Sequence, residues 1–216
     1  MTTIKTFIGT VALLAASTVF AQSGNCVLFP KGDEDGQGTI GRRYAEGYLG
    51  FQDVSKTTKN VFAVGVGGNL PVCGGIDLLG SINHTSFKPG KASTTLTNFD
   101  GSVRLYNKIE DDIKPFIQAG LGMTFGDVLD HSTNWINWNV GIGAEFAYKW
   151  ISVTPTIIYR DDFRHNGPSK QSMDYSVEVS SWATPQVGVF AKLSYVAVVH
   201  DLADSIGLTA GVRVRF

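Results

Sequence analysis

Apolar and polar residues alternate with period two along most of this chain. The clearest stretch is residues 205–216. Ile206, Leu208, Ala210, Val212, Val214 and Phe216 are apolar, and Gly207, Thr209, Gly211, Arg213 and Arg215 lie between them. Successive side chains of a strand point to opposite faces, so this segment reads as a strand with one greasy and one polar side. The same reading applied from the N-terminal side predicts strands at 43–54, 60–70, 76–87 and 94–107. A fifth opens at Pro115, where a missing N–H is tolerable, and gives way to a loop at 127–134. Further strands follow at 135–148, from 151 to about Arg160, at 173–181 and at 186–199. Pro155 falls inside the seventh strand, and a bulge is expected there because a closed sheet has no free edge.

The count is about ten. It falls to eight if the weakly patterned 173–181 merges with a neighbour. Each segment is near or above the roughly 9–11 residues a tilted membrane strand needs. The fold class expected is all-β: a transmembrane antiparallel up-and-down β-barrel occupying 43–216. A soluble barrel with a greasy interior would show the same alternation. Trp135, Trp150, Tyr159, Tyr175 and Trp182 fall near strand ends, where an aromatic girdle would sit.

Composition narrows the choice. Gly makes up 25 of 216 residues, above the usual share of about 7%, which suits short strands better than helices. The net charge of -1 provides no basic field for nucleic acid. Residues 1–21 have the layout of a secretory signal peptide: Lys5, an apolar run from Phe7 to Phe20, and the small residues Val19 and Ala21 flanking Phe20. Cleavage after Ala21 is expected, leaving residues 22–42 as a periplasmic tail before the barrel. Cys26 lacks the lipobox pattern of a lipoprotein.

The C-terminal strand, with Val212, Val214 and the terminal Phe216, resembles the assembly signal of bacterial outer-membrane barrels. The run V-G-V-G-G-N-L-P-V with G-I-D-L-L-G-S-I in residues 62–87, and K-P-F-I-Q-A-G-L-G at 114–122, resemble strands of small outer-membrane β-barrel proteins. The resemblance implies a Gram-negative outer-membrane location with both termini in the periplasm. It also implies outer-membrane lipids as surroundings, with periplasmic chaperones and the barrel assembly machinery as partners in biogenesis. The family includes structural barrels, adhesins, pores and a few enzymes, so it carries over no catalytic residues. A monomer is expected.

The polar face carries the candidate site. Glu46, Asp77, Asp100, Glu145 and Glu178 share inward parity with Arg104, Arg160, Lys192 and Arg213. Ionised groups facing lipid are costly, about 2–4 kcal/mol for Arg or Lys at mid-membrane. An interleaved, ion-paired lumen is the cheap arrangement. A small barrel is just wide enough for side chains to fill, so a largely plugged lumen with a structural or interaction role is the leading reading. A narrow porin-like channel lined by the same charges is the alternative. Inward glycines at 65, 67, 120, 122, 141 and 143 leave room for long side chains. No helix follows them, which removes a nucleotide-binding reading.

Enzymatic signals are thin. His84 and Ser86 share a lipid-facing parity, and outer-membrane lipid A deacylases carry a similar His-x-Ser. Asp100, the nearest candidate acid, has inward parity, so an orienting carboxylate is missing. His131, His165 and His200 are too scattered for a metal site, and no cofactor is implied. Cys26 and Cys73 both map to the periplasmic side. The oxidising compartment suggests a disulfide between them.

Overall fold

A computed structural model describes residues 38–54, 60–87, 94–109, 112–128, 131–163, 171–198 and 204–216. The signal peptide, Cys26, His165 and His200 lie outside these residues. The described chain forms ten antiparallel strands: β1 (Tyr44–Val54), β2 (Asn60–Cys73), β3 (Ile76–Phe87), β4 (Thr94–Tyr106), β5 (Ile113–Val128), β6 (His131–Tyr148), β7 (Ile151–Asp162), β8 (Ser172–Trp182), β9 (Val187–Val198) and β10 (Ser205–Arg215). Each pairs with its sequence neighbours, and β1 pairs with β10 from Tyr44↔Arg215 to Val54↔Ser205, closing the barrel. The weakly patterned β8 pairs along its length with both β7 and β9, so the number is ten and not eight.

The exposure pattern decides which face is greasy. Leu49 is 69% exposed and Phe62 is 64% exposed; Val66, Leu121, Ile142, Leu193 and Leu208 are exposed as well. Asp77, Glu145 and Arg213 are buried inside. This is the inverse of a soluble barrel, which would bury the apolar set. The outward aromatics include Trp150, Tyr175 and a tilted Trp138–Tyr159 pair.

Three expectations are corrected. Trp135 and Trp182 do not belong to the outer girdle. Trp135 lines the lumen, four residues from inward Asn139, and Trp182 lies four residues from inward Glu178 and bonds into the barrel mouth. Pro155 makes no bulge: pairing runs from Gly143↔Thr156 to Phe146↔Val153 with the register unshifted. The missing N–H interrupts the ladder, but no extra residue is needed to accommodate it. The register shift instead falls at Pro71–Cys73, where β2 meets β3. The third correction concerns the loop expected at 127–134, most of which is strand. β5 and β6 pair as far as Val128↔His131. At 18 residues, β6 exceeds a tilted crossing of about 9–11. Beyond the bilayer a ladder needs backbone partners and no greasy face, so the polar run at 132–134 hides the strand from a hydropathy reading.

Candidate functional site in the barrel lumen

The lumen is built in three layers. The first lies at the end where β1 begins and β10 finishes and contains a segment expected to be only a tail. Residues 38–42 enter the barrel mouth: Thr39 and Arg42 are buried, and Ile40 is 1% exposed. Side chains from five strands grip their backbone. The Glu145 carboxylate accepts the N–H groups of Thr39 and Ile40 and the Thr39 hydroxyl. Asp77 Oδ2 accepts the Gly41 N–H at 3.0 Å. Lys114 Nζ donates to the Ile40 carbonyl at 2.9 Å, and Asn69 Nδ2 to the Arg42 carbonyl at 2.8 Å. Trp182 Nε1 donates to the Gly38 carbonyl at 3.0 Å. Gly38 and Gly41 have φ of +100° and +79°. A side chain at Gly38 would collide with the Glu145 carboxylate, and one at Gly41 with the Tyr106 hydroxyl.

Glu145 therefore has different partners from those the charge pattern suggested. Inward parity put it in one ion-paired set with Arg104, Arg160, Lys192 and Arg213. Its base is Lys114, 4.0 Å away, and its main load is backbone. Asp77 likewise serves a backbone N–H. Buried N–H groups need acceptors, and an irregular segment inside a barrel has no ladder to supply them.

The second layer is centred on Arg213. Its Nε meets Glu46 Oε2 at 2.7 Å, and its two terminal nitrogens meet the Glu178 oxygens at 2.7 and 2.9 Å, a bidentate fork. The guanidinium also lies 4.1 Å from the Phe190 ring centre and 4.9 Å from that of Tyr44. Lys192 stands opposite Glu178 in the β8–β9 ladder. Arg104 stacks on Phe116 at 4.6 Å, and Tyr48 occupies the room left by Gly65.

The third layer opens into two joined polar cavities of about 460 and 390 Å³, which share Gln52, Asn83, Asn98, Asp100, Arg160 and Thr209; the larger also reaches down past Glu46, Glu178 and Arg213 to Thr39. Arg160 pairs with Asp100 at 3.6 Å. Asn98 donates to Asn83 at 2.7 Å and accepts from Thr124 at 2.6 Å. The structure thus gathers all nine predicted charged residues in the lumen, in several local groups and not as one network. Lys114, Asn69 and Trp182 were missed. Their parity with Phe116, Gly67 and Glu178 marks them as inward, but Lys114 and Trp182 lie one residue outside the strands expected from 115 and at 173–181.

Elsewhere, His84 faces outward and its Nδ1 pairs with Thr97 Oγ1 at 3.1 Å. Among the described residues no carboxylate bonds it, and Asp100 is engaged inside the lumen. The described residues contain no group of three or more His, Cys, Asp or Glu able to hold a metal. Cys73 is buried at the end of β2.

An apolar outer belt, a polar lumen and up-and-down closure define a transmembrane β-barrel. Its fold is that of bacterial outer-membrane barrel proteins. The β-domain of the Bordetella autotransporter BrkA aligns with a TM-score of 0.55 and 9% identity, over 81% of this chain and 98% of that one. An outer membrane channel from Pseudomonas putida F1 aligns at 0.50 and 7%, over 84% and 98%. No family model matches the chain, and no curated protein matches it. At these identities the likeness concerns the fold alone.

Proposed function

We propose that this protein is an integral barrel of the bacterial outer membrane whose lumen is stoppered by its own residues 38–42, and that its role is one of structure or interaction and not of conduction. In this reading it is exported through a cleaved signal peptide. Both termini face the periplasm, and it is a monomer surrounded by outer-membrane lipids. Periplasmic chaperones and the barrel assembly machinery deliver it.

The observation that carries the reading is the grip on the backbone of residues 38–42 by Asn69, Asp77, Lys114, Glu145 and Trp182. Contacts to main-chain groups fix the path of the segment, and Gly38 and Gly41 leave room for the side chains that crowd it. Immediately above it, the Glu46–Arg213–Glu178 cluster narrows the passage further. A narrow channel is the second reading, favoured by the two joined cavities lined with Arg104, Arg160, Lys192 and Asp100.

Planar bilayers separate the two. Full-length mature protein should show no steady conductance, and protein lacking residues 22–42 should conduct. Equal conductance from both would remove the stopper and select the channel.

A further inference from the structure

The lumen ends, on the side away from residues 38–42, in a polar cup of about 390 Å³. That lies within the roughly 300–1,000 Å³ typical of small-molecule sites. One side of the cup satisfies itself. Asn98 bonds Asn83 and Thr124, and Arg160 reaches across to Asp100.

The other side does not. Asp174 lines the cup and is only 7% exposed. Its neighbours across the ladder are Ile158 and Val196, whose side chains offer no donor. Its Oδ1 has no hydrogen-bond partner, and a buried polar atom left unmet is costly. One strand away, Asp162 stands opposite Asn137 in the β6–β7 ladder, and the Asn137 amide oxygen is unmet as well. Both orphaned atoms are acceptors, so the cup lacks donors. Strand spacing and rise put Asp162 and Asp174 roughly 8 Å apart in the sheet.

The cup also lacks positive charge. Asp100, Asp162 and Asp174 line it against one base, Arg160, which Asp100 already engages. Among the described residues neither Asp162 nor Asp174 has an ion pair. Asp161, bonded by the Tyr159 hydroxyl and the Gln171 amide, adds to the negative excess. Lys192 lies deeper, opposite Glu178.

We propose that this cup binds a linear aliphatic diamine or polyamine. One ammonium donates to Asp174, and a second donates to Asp162 and the Asn137 oxygen. Trp135, two positions along β6 from Asn137 and on the cup wall, offers its ring to the outer ammonium. A sugar or water would supply donors but leave the charge unmet. A metal ion is a poorer fit, because the described residues contain no group of three or more His, Cys, Asp or Glu able to hold one. An ammonium answers both deficits, and a slender chain can enter a recess of this size. The proposal rests on the barrel and its polar interior and is independent of the stopper, which bilayer conductance tests separately.

Isothermal titration calorimetry of the refolded full-length mature protein in detergent, at physiological salt, tests it with diaminobutane, aminobutane and butanediol. Diaminobutane should bind at one site, more tightly than aminobutane, and butanediol should not bind. Asp174→Asn and Asp162→Asn should each weaken diaminobutane by about tenfold or more, the scale of one lost charged hydrogen bond. Asp127→Asn removes the same charge from an exposed, outward position at this end of the barrel and should bind as wild type does. Asp174→Asn relieves an uncompensated buried charge, so it should refold at least as well as wild type, judged by its shift on unheated gels. Absence of saturable diaminobutane binding to wild type would overturn the proposal and leave the cup to water. Undiminished binding by both cup variants would overturn it, as would an equal loss in Asp127→Asn. Butanediol binding as tightly as diaminobutane would overturn it too, by making the cup a polyol site.

Discussion

Glu145 and Thr39 are 106 positions apart and share two hydrogen bonds: the Thr39 N–H and hydroxyl both donate to Oε1. The Ile40 N–H reaches the other oxygen at 3.2 Å. Glu145→Ala would orphan three donors and leave Lys114 without its carboxylate. Unmet buried donors cost about 1–3 kcal/mol each and a broken buried ion pair about 3–5 kcal/mol, although release of residues 38–42 into water caps the loss. The variant should unfold at lower urea and conduct in planar bilayers. Glu145→Gln keeps an acceptor and should lose less on both measures.

Arg213 offers a sharper test of the second layer. Arg213→Met should cost at most about 3–5 kcal/mol, because Glu46 and Glu178, half-buried beside the lumen cavity, lose the base they share. Adding Glu178→Gln should recover part of that loss. A double-mutant cycle by urea unfolding measures the coupling. Additive losses would mean that the fork observed here contributes nothing to stability.

The outer face is tested at Ile142, which is exposed and paired with Ile117 and Ile157. Ile142→Arg should destabilise the barrel in lipid vesicles by about 2–4 kcal/mol. Gln118→Arg, on the lumen side of the neighbouring strand, should cost less because it meets a polar cavity. The reverse order would exchange inside and outside.

Cys73 ends β2 at the barrel end that holds residues 38–42. We expect a disulfide to Cys26, made in an oxidising compartment. Denatured, unreduced protein should titrate no thiols. Two titrated thiols would rule the bond out.

The alternation of Ile206, Leu208 and Ala210 with Gly207 and Thr209 made the strands legible, because lipid on one side and lumen on the other enforce period two. The ends of the strands were less legible. Residues 132–134 and Trp182 lie where that constraint lapses, so composition there follows turn chemistry and water. Charges could be assigned to the lumen by parity, but their partners could not: Glu46↔Arg213 and Glu178↔Lys192 are ladder neighbours, whereas Glu145 and Thr39 meet across the bore. The segment from Thr39 to Arg42 has no period, and nothing local announces that it is buried. Its acceptors lie on β3 and β6, and only closure brings them together.

That dependence sets an order of events. The groups holding residues 38–42 come from β2, β3, β5, β6 and β8, while the segment itself precedes β1, which is hydrogen-bonded to the last strand. While the β1–β10 seam is open, neither the mouth nor its ring of donors and acceptors exists. Insertion of the segment is thus expected to follow closure of the seam, and non-local contacts of this kind are slow to form. A chain caught before that step would present residues 38–42 to an added protease, and a finished one would withhold them, so resistance to digestion near Gly38 would serve as a clock for barrel completion.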